Sequence, residues 1–270
     1  MTSGDDLGAP YPPELALLDP ERSGWGNLGL WHETSTYPAA AAALATQVGR
    51  GAELGPDDRV AELGCGRGAS LALWRRVFGV EDVVGYELDA TAAAVAARHG
   101  RTHHAPAEAV REERALDAIV SVDAAYHFDH ERLFEACGAA LRPGGRLAWT
   151  DLLRRSDLGA LGRGAVHAAA RLFGLGRSAP LDAQGLESRL NRAGLELIAH
   201  RDLTEPVLGG FARHVQTLGD AGRLRGPGAR KLLITAAGCR AVLRGDAVRY
   251  VELVARRRPT RGCPLQPRLR

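Results

Sequence analysis

Residues 59–70 read RVAELGCGRGAS, and this stretch decides the fold. An apolar run (Val60, Ala61, Leu63) carries one acid, Glu62, and then enters Gly64-Cys65-Gly66-Arg67-Gly68. Beyond the glycines, Leu71, Trp74 and Phe78 share one helical face. The pattern predicts a parallel strand, a tight glycine loop and the start of an amphipathic helix. Glycine lets a backbone turn sharply and approach a ligand closely. A helix N-terminus presents free N–H groups to an anion. A nucleotide-like cofactor suits such a place.

Working outward, DVVGYELD (82–89) is a second strand that ends in Glu87, followed by Leu88. An acid at that strand end accepts hydrogen bonds from both hydroxyls of a ribose. LDAIVSVDAAYHF (116–128) reads as a buried strand running into a loop, and a helix follows with Leu133, Phe134, Cys137 and Leu141 on one face. LRPGGRLAWTDL (141–152) comes next. Pro143-Gly144-Gly145 is expected to end the helix and turn into a strand that finishes at Asp151. Strands are expected near 59–64, 82–88, 101–105, 116–122 and 145–151. Alternating strands and helices predict a parallel sheet covered on both faces. Its ligand crevice lies at the carboxyl ends of the strands, near the switch in strand order.

Glu62-x-Gly64-x-Gly66-x-Gly68, Glu87, the YHF loop and the RPGG strand follow one another in an order that resembles class I S-adenosylmethionine (SAM) methyltransferases, especially those acting on small molecules such as natural products, sterols and quinones. The resemblance is good from about Asn27 to Asp151 and thinner beyond. It implies an α/β doubly wound, Rossmann-like sheet of seven strands, mostly parallel with an antiparallel last strand. It also implies SAM as cofactor, held by Glu62, Gly64, Cys65, Gly66, Gly68, Glu87 and Leu88. The looser spacing Gly64-x-Gly66-x-x-Ala69 also satisfies a dinucleotide pattern, so the loop alone leaves an NAD-linked oxidoreductase open. A SAM-binding module without catalysis is a third reading. Many relatives carry an acid after the third strand for the adenine amine. Here Pro106 stands there, with Glu108 or a backbone group as the substitute.

His127 and Asp151 are the catalytic candidates. YHF and TDL resemble the segments that supply a His/Asp pair in sugar and natural-product O-methyltransferases, which implies methyl transfer to a metabolite hydroxyl with His127 as base. Methylation of nitrogen or carbon is the nearest variant. Trp31, Tyr37 and Tyr126 are assigned to the acceptor, and Asp123 and His32 to the same cavity. The N-L-G-L-W segment at 27–31 resembles an element that packs over the cofactor, and its tryptophan serves equally to seal the sheet edge. Asp202 and Thr204 resemble a short D-x-T strand end of sterol- and quinone-type relatives.

After Asp151 the apolar spacing turns helical. Cap insertions are expected over about 155–175 and 206–243, within a methyltransferase domain of 25–256. Residues 1–24 read as a flexible lead-in without the features of a signal peptide, and 257–270 as a basic disordered tail. Net charge is +3 over 270 residues, and no basic stripe with interleaved aromatics occurs, so a nucleic-acid partner is not expected. Cys65, Cys137, Cys239 and Cys263 show no C-x-x-C spacing, which reads as reduced thiols in a cytoplasmic protein. No apolar run spans a membrane. His103 and His104 are adjacent on an extended segment and point apart, so no metal site is expected. Oligomeric state is not readable from these features.

Overall fold

The computed structural model describes residues 11–172 and 180–259. Seven strands form one sheet: β1 (Arg59–Leu63), β2 (Asp82–Glu87), β3 (Arg101–His104), β4 (Leu116–Ser121), β5 (Leu141–Arg154), β6 (Leu195–Asp202) and β7 (Val248–Arg257). Their order is β3-β2-β1-β4-β5-β7-β6, and β7 runs antiparallel to both neighbours. The order reverses between β1 and β4, whose parallel register pairs Glu62 with Val120. The expected crevice therefore opens where β1 and β4 end.

Apolar alternation sorts side chains onto the two faces. One face packs Val60, Ala118, Val120 and Ala148 against α2 (Tyr37–Gly51) and α3 (Ala69–Phe78). The other packs Leu63, Ile119, Leu147 and Trp149 against α5 (His130–Ala140) and α7 (Ala183–Arg192). Between them in sequence, α4 (Ala90–Ala96) is started by the Asp89 carboxylate, which accepts the Ala92 N–H. Asp129 and Asp182 cap α5 and α7 in the same way, satisfying donors that the first turn leaves free.

Three expectations change. Within 11–24, α1 (Pro13–Leu18) is an ordered helix that packs on α9 (Pro227–Gly245), because Leu15 and Leu18 have an apolar surface to meet. The RPGG segment does not end a helix. α5 stops at Ala140, and Leu141 already pairs with Leu116, so Pro143-Gly144-Gly145 is an irregularity inside β5. The tail expectation lies outside the described residues beyond position 259, as does Cys263, while Arg257 belongs to β7.

The segments expected as caps carry α6 (Ala160–Leu172), a π-helical turn at Thr204–Gly209, α8 (Gly210–Asp220) and α9. Phe211, Val215, Leu232 and Ala236 insert into the core on the α2–α3 face. Among the described residues no helix is long and apolar enough to cross a membrane, and no group of three or more His, Cys, Asp or Glu is placed to hold a metal ion.

Close helix packing generates a test. A Cβ on Gly138 would lie 2.2 Å from the Ala193 carbonyl oxygen, a backbone atom that cannot swing away. Gly138→Ala should cost about 1–3 kcal/mol of stability, read as a lower urea midpoint at unchanged m-value.

Candidate functional site

The glycine loop forms as its sequence requires. Gly64, Gly66 and Gly68 have φ of +72°, +54° and +85°, values that L side chains rarely adopt. They do different work. A Cβ on Gly64 would strike Ala124 at 2.7 Å, and one on Gly68 would strike Ala96 at 2.8 Å. A Cβ on Gly66 would meet nothing within 4 Å and would project into open space. Gly64 and Gly68 are required by packing, whereas Gly66 leaves space open at a cavity.

That cavity, about 540 Å³, is lined by Glu62, Gly64, Cys65, Gly66, Asp123 and, from the N-terminal segment, Tyr11 among others. Glu62 is buried and accepts from Ser70 Oγ (2.6 Å) and Trp74 Nε1 (2.8 Å). Burial outweighs these donors and holds its carboxyl at about 7. Cys65 is buried, its thiol pushed up by that burial and by Glu62. Glu87 binds the loop itself: Oε2 accepts the Gly66 N–H (2.8 Å) and Oε1 the Asp89 N–H (2.9 Å). Neither Glu87 nor Leu88 lines the cavity, and Leu88 is 70% exposed. Pro106 and Glu108 are also outside its lining.

A second cavity of about 680 Å³ adjoins it, walled by Tyr126, His127 and Leu152 on the sheet side and by α9 opposite. Asp123 belongs to the lining of both. It follows β4 with φ +57°, a left-handed conformation that Asp tolerates better than most residues. Its N–H donates to Thr150 Oγ1 (2.7 Å). Its Oδ2 accepts the Leu28 N–H (2.7 Å), and its Oδ1 accepts the hydroxyls of Tyr126 (2.8 Å) and Tyr250 (2.7 Å). Burial raises the carboxyl to about 6 despite these donors. Burial and the Asp123 charge push both tyrosines well up, which keeps them as donors.

The structure does not bring His127 and Asp151 together. His127 is exposed beside Tyr126, at the second cavity. Asp151 is buried on the opposite face, where its Oδ2 contacts His130 Nε2 (2.7 Å) and accepts from Trp149 Nε1 (3.2 Å). Strand alternation is the reason: Thr150, not Asp151, points to the face that carries Asp123 and Tyr250. Two of the three proposed acceptor residues are also moved. Trp31 stacks on His214 (4.5 Å), and Tyr37 is buried with its hydroxyl on the Asn27 carbonyl (2.9 Å). Neither they nor His32 lines the second cavity, whereas Tyr126 does. Asp202 and Thr204 serve a turn: the Asp202 Oδ1 accepts the Thr204 N–H, and Thr204 Oγ1 accepts the Tyr250 N–H.

The methyltransferase domain family matches residues 31–200, well over half of the chain. The chain belongs to that family. It is a SAM-dependent methyltransferase, and the NAD-linked reading is not favoured. No curated protein matches. Solved structures share the fold at low identity. The cyclopropane synthase MmaA2 of Mycobacterium tuberculosis superposes with a TM-score of 0.71 at 18% identity, covering 93% of this chain and 100% of that one. The geranyl diphosphate C-methyltransferase of Streptomyces coelicolor A3(2), in complex with Mg2+, geranyl-S-thiolodiphosphate and S-adenosyl-L-homocysteine, gives 0.72 at 19%, covering 92% and 94%. The [4+2]-cyclase SpnF gives 0.65 at 18%, covering 93% and 98%. One fold thus carries different reactions, and the site must identify the chemistry.

The His130–Asp151 pair has its own pH signature. Burial pulls the imidazole down, but the Asp151 charge and hydrogen bond outweigh it, so His130 holds its proton to higher pH than usual. A raised histidine stabilises fully below the unfolded value, about 6.5, and the contribution is lost as pH rises through the folded value. Asp151→Asn should cost about 1.5–3 kcal/mol at low pH, the scale of a charged hydrogen bond. Urea melts at about pH 6 and about pH 9 should show the deficit shrinking at the higher pH, with turnover close to wild type.

Proposed function

We propose that the chain methylates a small organic acceptor held in the second cavity, with Asp123 as proton acceptor and SAM in the first. The observation that carries this reading is the position of one carboxylate in the lining of both cavities. When bound, SAM supplies an electrophilic methyl group on a positively charged sulfur. The residues present suit it. Gly66 leaves open space where a side chain would stand, and Glu62 places an acid in the wall. We assign Glu62 and the backbone of Gly64, Cys65 and Gly66 to hold the cofactor. Gly68 turns the loop into α3. Glu87 orders the loop and retains acceptor positions for a ribose, since two carboxylate oxygens offer about four. Leu88 flanks it.

Asp123 suits a general base. Its two oxygens take three donors and leave acceptor capacity for a hydroxyl proton. A carboxyl titrating near the working pH combines availability with proton affinity. Tyr126 and Tyr250 fix its orientation, and Thr150 holds its backbone in the left-handed turn. A hydroxyl is the acceptor group this arrangement serves most directly. Carbon is the second reading, favoured by the likeness to a geranyl diphosphate C-methyltransferase. We read α8 and α9 as the cover of the acceptor space. His127 is an exposed wall residue.

Gly66→Val should abolish SAM binding in calorimetry while leaving a folded chain, because the side chain fills cavity space and is strained at positive φ. Wild-type affinity in that variant would remove the loop from the cofactor site.

Asp123→Asn keeps the left-handed tolerance and tests the base. Turnover should fall by about 10²–10⁴-fold with SAM affinity nearly unchanged. In the wild type, kcat/KM should decline as pH drops through about 6, where the carboxyl takes up its proton, and the variant should lose that limb. His127→Ala should stay within a few-fold of wild type.

A further inference from the structure

The second cavity carries two cations and a carboxylate in its lining, with mostly apolar side chains besides. One stripe of α9 forms a wall: Arg230 and Lys231 in its first turns, Ile234 and Thr235 next, then Cys239 and Val242. Leu28, Leu152 and Leu208 face that stripe. Asp123 lies at the Cys239 level, where its charge, after burial, helps push that thiol up. Arg230 and Cys239 are nine positions apart, about 13 Å along a helix. Along α9 the cations and the Cys239 level are thus separated by about that length, over which Ile234 supplies apolar surface beside Thr235.

The two cations differ. Lys231 is bound by Glu14 of α1. Arg230 is exposed at the rim and carries no ion pair among the described residues. Asp123 is the only carboxylate in the described lining, and it is at the far end. A guanidinium offers a planar fork of donors that matches a carboxylate or phosphate group.

We infer that the acceptor is an elongated amphipathic anion, with a carboxylate or phosphate head at Arg230, an apolar body along Ile234 and Leu152, and its reacting group at Asp123. This inference rests on the acceptor role proposed for the second cavity. It names a substrate class and a specificity-determining residue. The head fixes one end and the interval selects chain length, so the reacting atom is positioned by binding remote from the chemistry.

Binding of simple amphiphiles tests it without knowledge of the natural acceptor. Decanoate, decanol and decyltrimethylammonium are titrated calorimetrically into the full-length protein, with and without S-adenosyl-L-homocysteine. Decanoate should bind at least about tenfold more tightly than decyltrimethylammonium, a gap of about 1.4 kcal/mol. Arg230→Glu should cancel that preference. Arg244→Glu makes the same charge change on the same helix, outside the cavity lining, and should preserve it. Equal affinities in the wild type, a preference for the cation, or a preference that survives in Arg230→Glu would each overturn the inference. The S-adenosyl-L-homocysteine titration separates the two claims. If that ligand fails to bind while decanoate is still selected through Arg230, the anion site stands and the cofactor reading falls.

Discussion

The carboxylate of Asp123 is the contact on which the site depends. It gathers Leu28 from the N-terminal segment, Tyr126 from the loop after β4 and Tyr250 from β7 onto two oxygens. These three elements are far apart in sequence and meet at this carboxylate. The same group occupies the boundary between two cavities. Its left-handed backbone costs roughly 1–2 kcal/mol relative to an ordinary conformation, offset by the bond from its N–H to Thr150. Strain held by so many partners marks a position where geometry is fixed for a purpose.

A buried acid at the loop complements it. Glu62 sits beneath the glycine turn with both oxygens engaged by Ser70 and Trp74 of α3. This ties the strand to the helix it feeds and places a carboxyl group next to the space above Gly66. Glu87 completes the frame by fastening the loop backbone to the end of β2. The glycine-loop part of the cavity wall is therefore backbone held by a carboxylate, which suits a ligand that is recognised by close approach. α1 closes one side and reaches α9 through Glu14 and Lys231, so the N-terminal segment spans both cavities.

The opposite face carries a histidine–carboxylate pair with a different role. His130, Asp151 and Trp149 lock the first turn of α5 to the end of β5, away from the cavities. Such a pair has the composition of a catalytic dyad, but its position gives it the energetics of a buried clamp.

The sequence by itself determined the class of architecture and the glycine loop. Glycines that must take positive φ, an acid on β1, an acid ending β2 and regular alternation of strands and helices are local signals, and local sterics and periodicity enforce them. Seven strands with an antiparallel last one are what the family resemblance of those signals implies, whereas the order β3-β2-β1-β4-β5-β7-β6 is a fact of the tertiary structure. The acceptor side was not legible in the sequence. In an extended strand, consecutive side chains point to opposite faces, so Thr150 and Asp151 are equally plausible until the face that bears the ligand is known. Trp31 and Tyr37 look like pocket aromatics, yet α8 and the Asn27 turn draw them into packing. Asp123 was visible only as one cavity residue among several, because its importance comes from partners 95 and 127 positions away. Only tertiary structure brings such groups together, since burial and shared hydrogen bonds depend on which elements meet in space.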